Sequence, residues 1–350
     1  MIDNTANKPI ITRFFRGKYR GLVPGLALAA LIATIAYYLG KLTMVVNDVM
    51  VAIVLGALIR NLSGIHELFK PGLSFSLKKV LRLAIILLGM QISFQQVVNT
   101  GERSLVIILF VVVMAIPLTY VIGKKLGLNS EISTLLGVGS AICGATAVLA
   151  TAPAIKAKER DVALAVATIF IFNTLALFLY PVIGKLLHLS YLTYGTWTGV
   201  AVQDVSSVVA TGFALGQKAG EIATVVKLTR TVFIVPVVFL AGLFFTWKDR
   251  QSGERTGNSI NYVKIFPWFV VGFLLMALLN SLGFFTKSLV ATVNPFSHFL
   301  ILMVMAGVGT DLDFKEMKKV GFSFLYAGLV SMIIMSVLSF VFIKAMGIGY

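Results

Sequence analysis

Apolar residues run along this chain in blocks separated by short polar stretches, and most blocks have the roughly 18 to 25 residues that a helix needs to cross hydrocarbon. They lie near 22–40, 43–60, 76–93, 104–123, 131–155, 162–187, 194–215, 222–246, 264–281, 286–309 and 322–346. The pattern predicts an all-α polytopic membrane protein with about 11 transmembrane segments. A cytoplasmic segment over 1–20 would precede a single transmembrane domain over 21–350.

Polar positions interrupt four of these blocks. In the fifth, Gly137, Gly139, Ser140, Cys143, Gly144, Ala145 and Thr146 stand where an unbroken span would carry bulky aliphatics. Free backbone N–H and C=O groups cost several kcal/mol each in hydrocarbon, so a broken helix survives only where protein or a polar cavity supplies partners, as in transporters. A half-helix starting near Gly144 would aim unpaired N–H groups and roughly half a positive charge at the gap, which suits an anion. The same small residues also suit close packing between helices, and composition alone leaves that reading open. Whether this block crosses fully or folds back as a re-entrant hairpin is open too, because Lys156, Lys158 and Arg160 follow it.

The second interruption runs from Gly199 through Gln203, Asp204, Ser206 and Ser207. A carboxylate at bilayer depth costs at least about 2.5 to 3.5 kcal/mol and marks a pathway or a partner, whereas in a short interfacial loop Asp204 would simply be solvated. In the eighth block Lys227 and Arg230 share a helical face ahead of Pro236. They would complement Asp204 or a bound anion, or snorkel to the interface. Asn173 and Thr174 interrupt the sixth block, and Asp48 stands near the outer end of the second.

Sliding the chain on itself by 220 positions pairs Ala57 with Ala277, Leu58 with Leu278, Leu62 with Leu282, Gly89 with Gly309, Phe94 with Phe314, Gly101 with Gly321, Leu105 with Leu325, Lys124 with Lys344 and Gly127 with Gly347. The match predicts repeats over about 50–128 and 270–348, with a central 131–246 segment carrying the broken helices. The copies start seven crossings apart, and an odd separation makes them inverted, with a substrate site at the midplane.

Composition narrows the classes further. With 58% hydrophobic residues and 13% charged ones, the 350-residue chain lies outside the soluble range. Its net charge of +16 comes from basic residues between the apolar blocks, without a basic patch interleaved with aromatics, so nucleic acid is not an expected partner. Lys/Arg clusters before the first block and after the second, fourth, eighth and tenth place the N-terminus in the cytoplasm. One cysteine makes no intrachain disulfide, and His66, His188 and His298 lack ligand spacing, so neither a metal nor a cofactor is expected. No P-loop or nucleophile elbow is present, which argues against an ATP-driven pump within this chain and against an enzyme.

The block Leu136-Gly137-Val-Gly139-Ser140-Ala-Ile-Cys143-Gly144-Ala-Thr146, the stretch Leu88-Gly89 to Gly101 and Val226-Lys227-Leu-Thr-Arg230 resemble the bacterial YeiH-type family, labelled sulfate exporters. The likeness covers about 21–350. More distantly, a glycine-ended span, a plain span and a broken span in that order look like the cation/proton antiporter and anion transporter superfamily. That resemblance implies crossed, unwound helices, with Ser140 to Thr146 as crossing and substrate site. Two departures stand out: Pro153 lies beyond the break and Gly144 is not doubled, and the second copy ends at Tyr350 without a broken helix of its own.

Together these features imply an inner-membrane secondary transporter that exports a small anion, sulfate or a related sulfur oxyanion. Gly139, Ser140, Cys143, Gly144, Ala145, Thr146, Gln203, Ser206, Ser207, Lys227 and Arg230 would bind substrate. Asp204 and Asn173 would couple transport to a proton or sodium ion. The other expected partners are the lipid bilayer and, left open, a second copy as a homodimer. A sodium- or proton-coupled importer of organic anions and an anion channel are the rival readings.

Overall fold

A computed structural model of the chain describes residues 22–42, 47–251, 266–313 and 321–347, apart from the side chains of 248–251. The helices are α1 (Leu22–Leu42), α2 (Asp48–Leu62), α3 (70–89), α4 (Phe94–Lys125), α5 (Ser130–Ala141), α6 (Ala145–Thr151), α7 (Glu159–Leu186), α8 (Tyr191–Ala201), α9 (Val205–Phe213), α10 (Gln217–Val232), α11 (Ile234–Gln251), α12 (Trp268–Ser281), α13 (Lys287–Asp311) and α14 (Phe322–Ala345). No strand occurs among the described residues. Side-chain caps start several of them: Ser93 and Gln96 form a reciprocal capping box on α4, and Asn129 and Ser190 cap α5 and α8. A widened π-turn at Ser76–Val80 interrupts α3.

One helix, or two in succession, fills each apolar block. Six stretches among the described residues are long and apolar enough to cross a membrane: α1, α4, α7, Gln217–Trp247, α13 and α14. The chain is therefore an all-helical, multi-pass membrane protein. The expected cytoplasmic segment 1–20 and the basic residues Arg255, Lys264, Lys315, Lys318 and Lys319 lie outside the described residues.

The eighth block, expected as one helix over 222–246, is divided between Val232 and Ile234. Pro236 has no N–H to donate to the Val232 carbonyl, so the ladder fails at that turn.

Two compact units make up the chain. Among the described residues, the first holds those up to Ala84 together with Val293–Asp313. Within it α2 packs on α13 through glycine: a Cβ built on Gly309 would collide with the Ile53 carbonyl oxygen, and it would stand 2.9 Å from the Gly56 Cα. Beyond this contact Asn61 donates to the Leu312 carbonyl at 2.7 Å, and Arg60 pairs with Asp313 at 2.6 Å. Asp48 meets His298 at 2.7 Å.

The second unit holds the described residues between Ile85 and Thr292 and those of 321–347. Here α3 packs on α12, where a Cβ on Gly89 would lie 2.5 Å from the Phe273 carbonyl oxygen and 3.1 Å from the Met276 Cβ. Asn280 donates to the Ile92 carbonyl at 3.4 Å. The glycine contact repeats that of the first unit with its partners exchanged, because Ile53 and Phe273, Gly56 and Met276, and Gly89 and Gly309 all stand 220 positions apart, whereas the asparagine donors Asn61 and Asn280 stand 219 apart.

Also within the second unit, α10 lies between α8 and α9 at very short range. A Cβ on Gly195 would come 2.8 Å from the Ala219 carbonyl, one on Gly199 2.9 Å from the Ala223 carbonyl, and one on Gly212 3.0 Å from the Gly220 Cα. Small residues let the backbones approach this closely, and the approach carries the cations of α10 to the ends of α8 and α5.

Candidate functional site

Two helices are interrupted inside the second unit. The first break separates α5 from α6 at Ile142, Cys143 and Gly144, and the second separates α8 from α9 at Val202, Gln203 and Asp204. Gly144 takes φ 65° and ψ -133°, a conformation essentially restricted to glycine, and so turns the chain without a proline or a paired glycine. The turn closes by a hydrogen bond from the Gly144 N–H to the Gly139 carbonyl at 2.9 Å. The two breaks touch: a Cβ on Gly144 would lie 3.2 Å from the Asp204 Cβ.

A helix that stops inside protein leaves carbonyl oxygens without partners at its C-terminal end. At this crossing two cations supply the donors. Lys227 and Arg230 are both 0% exposed. The Lys227 ammonium donates to the carbonyls of Ile142 at 2.7 Å, Val202 at 3.1 Å and Gln203, joining the end of α5 to the end of α8. The Arg230 guanidinium donates through Nη1 to Val200 and through Nη2 to Val202 at 2.7 Å and Gln203 at 3.2 Å. Cations at helix C-termini also oppose the negative end of the helix dipole.

The second break is held from the other side by Asn173 of α7. Its Oδ1 accepts from the Gln203 and Asp204 N–H groups, each at 3.1 Å. Asp204 caps α9, accepting at Oδ2 from the Ser206 N–H at 2.9 Å and from the Ser206 hydroxyl. Lys227, Arg230, Asn173, Asp204 and Ser206 thus all act at one locus.

The crossing is polarised. Ile142, Cys143, Val202 and Gln203 are buried, whereas Ala145, Asp204 and Ser206 are half-buried and Thr146 is exposed. The helix C-termini and their cations therefore face the interior, and the starts of α6 and α9 face the open side. Formal charge does not cancel, since Lys227 and Arg230 outweigh Asp204 by one. Among the described residues, two buried polar atoms of the crossing stay unpartnered, Gln203 Oε1 and Arg230 Nε.

Of the expected substrate residues, Cys143, Gly144, Gln203, Lys227 and Arg230 gather at the crossing. Ala145, Thr146 and Ser206 lie on its open side. Gly139 and Ser140 occupy the last turns of α5, and Ser207 is buried in the first turn of α9. Thr174 donates to the Phe170 carbonyl within its own helix. The groups that sequence reasoning missed are the carbonyls of Ile142, Val200 and Val202, which belong to the backbone and have no residue-type signature. His66, His188 and His298 form no metal cluster among the described residues.

Fold and site define a polytopic α-helical membrane protein in which two discontinuous helices meet. The chain belongs to the family described as conserved hypothetical protein 698, which matches residues 24–328. It is similar to a UPF0324 membrane protein of Clostridium tetani, 33% identical over 92% of this chain and 97% of the relative. A UPF0324 membrane protein of Bacillus cereus is 34% identical over 93% and 96%, and one of Streptococcus pyogenes serotype M18 is 36% identical over 93% and 98%. The YeiH-type resemblance read from the motifs points to this same family.

Proposed function

We propose that the chain is a secondary transporter for a small anion, sulfate or a related sulfur oxyanion, exported across the bacterial inner membrane by alternating access. The observation that carries this reading is the contact between two interrupted helices, Gly144 against Asp204, beside a pair of fully buried cations. Transporters place broken helices of this kind at the substrate site. A buried site with one uncompensated positive charge gains by admitting an anion, because isolated charge in a low dielectric costs several kcal/mol.

In this reading Lys227 and Arg230 have two jobs. Their hydrogen bonds hold the carbonyl ends of α5 and α8 together, and their charge draws the solute to the open side of the crossing at Ala145, Thr146 and Ser206. Asp204, oriented by Asn173 through the shared backbone, is the coupling group for a proton or sodium ion. The chain acts as a carrier, without covalent chemistry.

The architecture proposed has eleven crossings, a cytoplasmic N-terminus and inverted copies over 50–128 and 270–348. The exchanged contacts of Gly89 with Phe273 and of Gly309 with Ile53 support the two copies, since two-fold related segments contact each other reciprocally. Gly127 and Gly347 add to this, each with positive φ and each donating its N–H to a lysine carbonyl three residues back.

Purified protein in liposomes loaded with sulfate is expected to take up labelled sulfate in exchange for the internal pool, and Arg230→Ala to lose that exchange. Unchanged anion binding and flux in Arg230→Ala would remove the arginine from the site. Steady conduction without counterflow would make the protein a channel, and a strict demand for a sodium gradient with carbon acids would make it an importer.

A further inference from the structure

Away from the crossing, the second unit carries an open depression of about 50 Å³ lined by Asn99, Thr100, Arg103, Ser104, Leu192 and Thr196. Five of its six lining side chains are polar, one of those is a cation, and none is a carboxylate. Glu102 is exposed and stands outside the lining.

The hydrogen-bonding state of these groups decides what they can take. Asn99 Oδ1 already accepts from Gln95 Nε2 at 2.8 Å, which leaves the Asn99 amide hydrogens free to donate. Ser104 spends its hydroxyl hydrogen on the Gly101 carbonyl at 3.0 Å. Among the described residues, the side chains of Arg103 and Thr100 have no bonded partner. Thr196 is only 3% exposed, yet its hydroxyl is unbonded among those residues and lines the cavity. Guanidinium, amide and hydroxyl donors converging without an acid form an anion-binding set. A volume of this size holds only a few water-sized groups, which limits the occupant to a small solute or a headgroup.

We propose that this depression is a second binding site, for a compact oxyanion such as sulfate or the phosphate of a lipid headgroup. It leads toward the crossing. Thr196 stands four residues before Val200, about 6 Å along α8 at the helical rise per residue. The Val200 carbonyl is in turn held by Arg230. Gly101 lies against Thr229, the residue before Arg230, with a built Cβ 3.5 Å from its hydroxyl. The site would take the same class of solute as the proposed transport function, but it stands whether or not the crossing carries an anion.

A thiol placed at the rim tests it without reference to transport. Cys143 is buried, so Thr100→Cys supplies an accessible cysteine whose labelling by a charged methanethiosulfonate can be timed in intact protein in bilayers. Sulfate is expected to slow labelling in phosphatidylcholine. Adding Arg103→Gln should weaken this protection about tenfold or more, the loss of one charge-assisted hydrogen bond, with Arg103→Lys intermediate and Thr196→Val also weakened. Protection that appears only with phosphatidylglycerol assigns the site to a headgroup phosphate, and protection by free sulfate assigns it to the soluble ion. Labelling that neither anion slows, or protection that survives Arg103→Gln in folded protein, overturns the proposal. Loss of sulfate counterflow with rim protection intact would instead count against the transport reading alone.

Discussion

Asn173 holds the second helix break by one atom: its Oδ1 accepts from the backbone N–H groups of both Gln203 and Asp204 at 3.1 Å. A single amide on an unbroken helix therefore satisfies both backbone donors at the point where α8 gives way to α9.

Removing that acceptor strands two donors at about 1–3 kcal/mol each. Asn173→Leu is expected to lower the melting temperature of the purified protein sharply, while Asn173→Asp, which keeps an acceptor, loses less. Equal losses in the two variants would show that the acceptor is not what matters.

Lys227 is the donor that links the end of α5 to the end of α8. Lys227→Met leaves the Ile142 carbonyl without its side-chain donor, while Val202 and Gln203 keep Arg230, and a stranded buried acceptor costs about 1–3 kcal/mol. Arg230→Lys should be milder but not neutral, because an ammonium cannot reproduce the planar fork on Val200 and Val202. Thermal or chemical denaturation in detergent measures both, and a Lys227→Met variant as stable as the parent would refute the role.

Gly144 combines a positive φ with close contact to Asp204, whereas Gly127 has a positive φ of 79° and open space around it. Gly127→Ala should show backbone strain alone, about 1–3 kcal/mol. Gly144→Ala should cost more than that, and it should reduce anion exchange as well. Equal melting temperatures would mean that the crossing tolerates a methyl group.

Asp204→Asn retains a good N-cap for α9 while removing the negative charge at the crossing. The variant is expected to fold and to bind sulfate more tightly, because both cations are then uncompensated. A variant that binds sulfate no more tightly than the parent would exclude the Asp204 charge from the site.

Much of this was legible in the chain. Block lengths located the helices, as with the run at 194–215 that became α8 and α9 over 191–213, because the lengths of apolar runs are local properties. Glycines located the first break, because the backbone angles at Gly144 exclude other residues wherever it packs. Pro236 likewise carried its own consequence, a missing donor that ends α10, although the apolar run around it concealed the division.

What each cation touches was not legible. Lys227 and Arg230 stood out as charges in an apolar stretch, and sequence logic aimed them at an anion or at Asp204. Tertiary packing sets them on carbonyl oxygens of Ile142, Val200, Val202 and Gln203, which no residue-type pattern announces. The physical reason is that helices and breaks follow from each residue's own backbone preferences and hydrophobicity, which the sequence states outright. Which helix end a buried charge satisfies depends on how closely distant segments approach, and here glycines on α8 and α9 set that distance for α10.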